Sequence, residues 1–508
     1  MRILSKIKKN KLIFTILLII FLLGMFVRLD NYNEVGLWND DESTIPSGLL
    51  WFYSYSEFPG LSGVSEPPLG NLIIGAGCML SGEDFSDVSK MSPTFYPDRA
   101  ALMGQQIVNA GTYCHLPLYL FGILFFIIIF ILAFSILEKY SAIFAVSFFA
   151  FYPNLLRYSR WIHVDVILYV FTGLFLLFLW RFYITKKNSK KELTNLLISA
   201  LFLGLASATK FSIGSFTIFT FFIILDKYKQ EFFSLSKKIL KILKLEIANK
   251  IKSNINFKRL IYLLILFFLI FTVFFLIPFK FNPANAYDVY HKYTTVTSPK
   301  FADIYFDFNL PRIFYHTFLL GSNIIDALIF LLTIPLFIYF FFIKKDKKEK
   351  FVFYAIILFL ISAFLFSQAL DMPRISLPYI ISLVFLMSFL FSNKKYSIFN
   401  ILKIKKKKLF FTFFILIYII YAFSIALSSS PYFVTKNPAV CHFKEDGCIK
   451  NLNLYSAKAT GTYLNNTLKD NETFTGMVGT TYFYTRQTEG FSSWYFDEFF
   501  NQKVNRYP

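Results

Sequence analysis

The sequence predicts an all-α polytopic membrane protein with about eleven transmembrane helices, interfacial helices in its first outer loop and a small extracytoplasmic C-terminal segment. Three observations predict it. Hydrophobic residues fill 56% of the 508 positions, 68 of which are Phe, whereas soluble domains hold roughly 45–50%. Long uncharged runs recur along the chain, and a helix needs about 20 largely apolar residues to cross a bilayer. The Lys and Arg residues collect in alternate loops instead of spreading over all of them.

Taken in order, the expected spans are 12–28, 116–137, 141–156, 164–183, 195–209, 212–226, 260–278, 324–343, 351–367, 375–391 and 409–427. Helices are the reading for such runs because lipid offers no partner for unsatisfied backbone groups. The loops then alternate sides. Segments 1–11, 138–140, 181–194, 227–259, 344–350 and 392–408 hold 33 of the 52 Lys and Arg, and the rest of the chain carries more acids than bases. The positive-inside rule therefore puts the N-terminus in the cytoplasm and the C-terminus outside, in a multi-pass cell-membrane protein. The net charge of +21 reads as membrane-flanking lysine, with membrane lipids as partners and no nucleic acid. Arg2, Lys6, Lys8 and Lys9 precede the first span as in a signal peptide. Arg28-Leu29-Asp30 is a poor cleavage site, so the span is expected to stay as an anchor.

The connections divide the chain into a membrane domain, 1–427, and an extracytoplasmic tail or cap, 428–508. Two large outer loops, 28–115 and 279–323, belong to the first part. Within 28–115, an amphipathic run at 45–55 and an apolar stretch at 71–80 are too short to span and are expected to lie in the interface plane. Pro67 and Pro68 suit the first turn of the second of these helices. The tail is rich in Tyr, Thr and Asn with little helical periodicity, which predicts a small, partly β cap; it holds sequons at Asn465 and Asn471. Cys78, Cys114, Cys441 and Cys448 all fall on the outer side, where one or two disulfides are compatible with an oxidising exterior. Cys441 and Cys448 would close a small loop; four free thiols are the alternative. Segment 227–259 reads as a basic amphipathic helix against anionic headgroups.

Ionisable residues at helix ends near lipid are functional candidates by default. Four groups stand out on the outer side: Asp40-Asp41-Glu42 after the first span, the turn Arg157 to Asp165, Lys210 between two spans, and Arg374 at the start of the tenth. Together they describe an outward-facing cavity with two carboxylate clusters and several fixed cations. Carboxylates serve as a general base for a hydroxyl or amine, and cations hold a phosphate and stabilise charge growing on it. The chain has no phosphate-binding loop, dinucleotide turn or His/Cys metal signature. A lipid-phosphate donor presented in the membrane fits both the charges and that absence.

In this order the motifs resemble the GT-C superfamily of polyprenyl-phosphate-dependent glycosyltransferases, in particular the protein O-mannosyltransferase and aminoarabinose-transferase branch (glycosyltransferase family 39-like). Asp41-Glu42 is similar to that family's first-loop Asp-Glu pair. Glu66-Pro67-Pro68-Leu69 resembles its Pro-Pro-Leu element, where a His or Lys more often precedes the prolines. Asp98-Arg99-Ala100, Ser159-Arg160 with Asp165, Thr209-Lys210-Phe211-Ser212 and Arg374-Ile375-Ser376-Leu377-Pro378 resemble the later elements, over roughly residues 10–390. The resemblance implies a GT-C-like fold and an inverting sugar transfer from a polyprenyl-phosphate donor. It implies Asp41 as base, or Asp40 if the match shifts by one, with Glu42 orienting the acceptor or sugar. It further implies Arg160, Lys210 and Arg374 at the donor phosphate, and Asp165 as a supporting or sugar-binding carboxylate. Glu66 would neutralise a nearby cation or replace the family's basic residue in another role.

Plainer readings stand beside these. Asp40–Glu42 would cap the following helix, Asp165 and Arg160 would form a structural ion pair, and Lys210 and Arg374 would snorkel to headgroups. His163 is expected to be a turn residue. The sugar is left open, and the acceptor is a protein, a glycan or a lipid. The acidic clusters would suit Mg²⁺ or Mn²⁺, although no ligand spacing demands either. The alternatives are a lipid or solute transporter or flippase, and a surface-glycan polymerase or ligase of another membrane fold. The span centres are free of charge, which disfavours a transporter.

Overall fold

The computed structural model describes residues 11–29, 41–53, 67–90, 96–159, 163–229, 255–292, 324–342, 345–365, 373–392, 394–404 and 406–428. Asp40, Glu66, Arg160, Cys441, Cys448 and the sequons lie outside them, as do segment 230–254 and the tail from 429.

Among the described residues the chain is helical, without strands. The helices are α1 (Lys11–Leu29), α2 (Asp41–Tyr53), α3 (Pro68–Met79), α4 (Tyr96–Ile136), α5 (Lys139–Phe151), α6 (Pro153–Tyr158), α7 (Asp165–Ile184) and α8 (Lys190–Ser207). There follow α9 (Phe216–Lys227), α10 (Ile255–Leu276), α11 (Pro283–Lys292), α12 (Ile324–Phe342), α13 (Lys347–Leu365), α14 (Pro373–Phe389), α15 (Ile398–Ile401) and α16 (Lys407–Ser428). Six of them, α1, α4, α7, α10, α12 and α16, are long and apolar enough to cross a membrane. Helix α7 is central, with 72% of its spanning window buried, while α10 at 17% is peripheral.

Among the described residues six helices therefore qualify where the hydropathy reading expects eleven spans, and the expected 212–226 is a 3₁₀ turn, Phe211–Ser215, followed by the twelve-residue α9. Two further elements differ. The expected span 141–156 is broken, because the chain turns extended at Tyr152 and restarts as α6 at Pro153. Proline lacks the N–H needed to continue a helix and drives the residue before it out of the α region. Helix α4 begins twenty residues before the expected 116, at Tyr96, and runs for 41 residues. At 1.5 Å per residue it is about 60 Å long, twice the ~30 Å hydrocarbon core. Its first half carries Gln105, Gln106 and Asn109, so hydropathy does not register it.

The two short helices of the first outer loop are built largely from buried residues. Positions 44–50 of α2 are buried throughout, and α3 opens with Pro67 as its cap and Pro68 as its first residue, as expected. A Cβ on Gly48 would lie 2.0 Å from the Asn71 carbonyl oxygen, and one on Gly75 would lie 2.5 Å from the Gly48 carbonyl carbon. The two backbones therefore touch. Cys78 of α3 and Cys114 of α4 form a disulfide, which fixes one pairing among the four cysteines.

Buried charge ties the helices at both ends of the bundle. At the end of α1, Arg28 donates to Gly24, Ala150 and Phe149 carbonyl oxygens at 2.8, 2.9 and 2.8 Å, over the Phe126 ring. It thereby satisfies the last carbonyls of α5, where a cation is also favoured by the helix dipole. At the opposite end, Asn188 adopts a left-handed turn with φ 64°, and Ser189 caps α8 by accepting from the Glu192 amide. Glu192, fully buried, receives Lys227, Tyr228 and Arg259 at 2.8, 2.7 and 3.3 Å, joining α8, α9 and α10.

Candidate active site

The site is assembled by turns at one end of α7. Asp165 is the first residue of that helix, where the macrodipole favours a carboxylate. It is completely buried. Lys210 follows α8 in an extended conformation and is itself only 3% exposed. Its Nζ donates to Asp165 Oδ1 at 2.9 Å, while His163 Nδ1 lies 2.9 Å from Asp165 Oδ2. Lys210 thus points into protein and does not snorkel. His163 occupies a turn as expected and also contacts the buried carboxylate.

The start of α3 clamps both turns. The Leu69 amide donates to the Ala208 carbonyl at 3.0 Å. A Cβ on Gly70 would lie 2.5 Å from Val164 Cβ and 3.1 Å from Thr209 Cγ2. Only glycine admits that approach, so Pro67-Pro68-Leu69-Gly70 functions as a docking element for the Asp165–Lys210 pair. The sequence reading noted the prolines and overlooked Gly70, whose signal was its place directly after them.

Other elements close around the same end. Trp51 at the end of α2 donates from Nε1 to the Pro278 carbonyl at 2.8 Å. Tyr379 of α14 is hydrogen-bonded to Ser215 Oγ at 2.8 Å and reaches the Ser212 carbonyl at 3.4 Å, two residues from Lys210. Arg374 sits in the first turn of that same α14, five positions before Tyr379. Asp41 and Glu42 open α2, which packs on α3 through the Gly48–Gly75 contact. The side chains of Asp41, Glu42 and Arg374 are outside the described residues, as are Asp40, Glu66 and Arg160 entirely.

An ammonium carries three protons to donate, and Asp165 receives one from Lys210. The pair therefore presents a fixed cation whose charge is largely offset by its own partner. Among the described residues no three His, Cys, Asp or Glu side chains converge as a metal site.

Residues 15–281 match the family described as dolichyl-phosphate-mannose-protein mannosyltransferase. The chain belongs to this family. It is therefore a membrane glycosyltransferase of the GT-C superfamily, a class whose donors are sugars on polyprenyl phosphates. The matched stretch of the mannosyltransferase family contains every candidate acid and cation named above except Arg374. Among solved structures, ArnT from Cupriavidus metallidurans bound to undecaprenyl phosphate is similar, with 14% identity over 93% of this chain and 84% of that one, and a TM-score of 0.46. The archaeal oligosaccharyltransferase AglB from Archaeoglobus fulgidus, in complex with an inhibitory peptide and a dolichol-phosphate, is 11% identical. That likeness covers 94% of this chain and 64% of AglB, less than two thirds of its length, with a TM-score of 0.47. No curated protein matches the chain by sequence.

Proposed function

We propose that this protein moves a sugar from a polyprenyl-phosphate donor to an acceptor hydroxyl or amine on the extracytoplasmic face, with inversion at the anomeric carbon. The observation that carries the reading is the family match, whose residues 15–281 take in the whole acidic and basic set from Asp40 to Lys210. Asp41 takes the acceptor proton, with Asp40 the neighbour that would replace it if the motif shifts by one. The acceptor oxygen or nitrogen forms the new bond to the anomeric carbon as the bond to the phosphate oxygen breaks. The electron pair leaves with the polyprenyl phosphate. Arg160, Lys210 and Arg374 stabilise that leaving phosphate, and Glu42 orients acceptor or sugar.

Asp165 holds Lys210 in place, a role supported by their 2.9 Å contact. Glu66, which directly precedes the docking prolines in sequence, would serve as a second carboxylate for the sugar or support the site. The second outer loop, 279–323, and the tail, 428–508, lie on the acceptor's side in this orientation.

The test is label transfer in lipid nanodiscs. Purified protein is incubated with a panel of radiolabelled polyprenyl-phosphate sugars and a cell-envelope extract, beside the Asp40→Asn/Asp41→Asn variant. Transfer by the wild type that disappears in the variant supports the reading and identifies the donor. If the wild type binds none of these lipids, the reading fails. Transfer retained by Asp41→Asn and lost in Asp40→Asn moves the base by one residue.

A further inference from the structure

The end of the bundle opposite the Asp165–Lys210 pair contains a cavity of about 500 Å³ between three inter-helix turns, near 185–187, 226–229 and 345–350. Seven lysines and two aspartates line it. Asp226 accepts from Lys350 at 2.7 Å and from Tyr183, and Asp346 accepts from Lys394 at 2.8 Å. The two carboxylates offset only part of the positive lining.

The positive-inside rule accounts for lysines in these loops but sets no condition on where their side chains gather. These are gathered from separate turns into one concavity and set against aromatic rings. Lys345 Nζ lies 4.4 Å from the centre of the Phe353 ring, and Lys347 Nζ lies 5.7 Å from that of Tyr183. Apolar surface adjoins the charge. Ile184, which lines the cavity, is 47% exposed, and Phe341, packed on the same Phe353 ring as Lys345, is 52% exposed. Phe342 beside it is the most exposed large apolar residue described, at 83%. A phosphate among the lysines with apolar chains along those residues matches an amphiphile better than a free ion. Basic pockets between membrane helices hold anionic headgroups on this principle.

We propose that this cavity binds the phosphate of an anionic membrane lipid, at a site separate from the one that carries transfer. Neither the family match nor the proposed reaction requires it.

The experiment uses the full chain in detergent and a fluorescent short-chain phosphatidylglycerol. One variant replaces three cavity lysines, Lys186→Gln, Lys187→Gln and Lys347→Gln, leaving the ion-paired Lys227 and Lys350 intact. A charge-matched control, Lys191→Gln, Lys395→Gln and Lys403→Gln, removes the same charge from exposed positions that do not line this cavity. Both are first checked for the wild-type elution profile and melting temperature.

The cavity variant is expected to bind the lipid roughly ten- to a hundredfold more weakly, the control within about twofold of wild type. Unlabelled phosphatidylglycerol displaces the probe; phosphatidylcholine and inorganic phosphate at the same concentration do not. Equal loss in the two triple variants would reduce the effect to diffuse surface charge and overturn the proposal. Displacement by inorganic phosphate as effective as by lipid would assign the cavity to a soluble anion and overturn it equally.

Discussion

Replacing Gly48 by alanine tests whether the first-loop helices set the geometry of transfer. The added Cβ would fall 2.0 Å from the Asn71 carbonyl oxygen and 2.9 Å from the Gly75 amide nitrogen. Both are backbone atoms of α3 and cannot swing aside. Ordinary contact begins near 3.4 Å, so α2 and α3 must part by about 1.4 Å or bend. Overpacking of this kind costs about 1–3 kcal/mol of stability. The larger consequence concerns position, because Asp41 stands seven residues ahead of Gly48 on the same helix. A misplacement of about 1 Å can lower a rate on the order of a hundredfold.

Gly48→Ala is therefore expected to cut single-turnover sugar transfer roughly a hundredfold while donor binding changes little. Gly111→Ala is the control, since nothing lies within 4 Å of its Cβ in the interior of α4. It should transfer normally and gain about 0.5–1 kcal/mol from helix propensity. Quenched-flow transfer with saturating donor, together with a donor-binding isotherm, separates the two quantities. Wild-type transfer by a folded Gly48→Ala protein would refute the link between the α2–α3 contact and catalysis.

Three further predictions follow from the same contacts. Lys210→Met removes the ammonium from the buried Asp165 carboxylate and leaves His163 as its 2.9 Å neighbour; it should destabilise by about 3 kcal/mol, whereas Asp165→Leu/Lys210→Met should cost less than that single change, and melts in detergent that rank the double variant lowest would contradict a coupled pair. Removing the Cys78–Cys114 bridge, 36 residues apart in sequence, should cost about 3–4 kcal/mol by the loop-entropy relation, and an unchanged melting temperature with reductant or in Cys78→Ser/Cys114→Ser would show the link to be neutral. With native cysteines replaced, Lys405→Cys should resist an impermeant maleimide on intact cells, and labelling from outside would invert the proposed orientation of the whole site.

Hydropathy located elements where the bilayer imposes a one-dimensional constraint. The expected 324–343 is the helix Ile324–Phe342, and 409–427 lies within Lys407–Ser428. The same measure missed the first half of α4 because it registers exposure to lipid, and those residues form a helix without needing lipid. Proline at 153 was visible, and its effect on the third span follows from backbone chemistry alone. Of the candidate site, the sequence order placed Asp165 and Lys210 at the same outer level, and their 2.9 Å contact joins them there. Partner choice was not legible. Asp165 stood five residues from Arg160 and 45 from Lys210, and only the packing of α7 on α8 makes the distant lysine its neighbour. Gly48 and Gly75 gave no signal, because a glycine acquires meaning only when another backbone arrives against it.

The two polar ends of the bundle are separated in a way that keeps their tests independent. Helix α7 carries Asp165 at its first residue and Ile184, on the wall of the lysine cavity, at its last. Nineteen steps of 1.5 Å put these about 28 Å apart. At an effective dielectric of about 20, a unit charge acts over that distance with only about 0.6 kcal/mol before screening. Neutralising a single cavity lysine therefore changes the energy of the Asp165–Lys210 pair by less than the loss of one hydrogen bond. A transfer defect larger than threefold in a single-lysine variant would have to travel mechanically, through the packing of α7 against α8 and α9. The Glu192 network is the element placed to carry it, because it joins α8, α9 and α10 beside the cavity. Conversely, a cavity variant with lost lipid binding and intact transfer would establish a lipid site that anchors or stabilises the fold without entering the reaction.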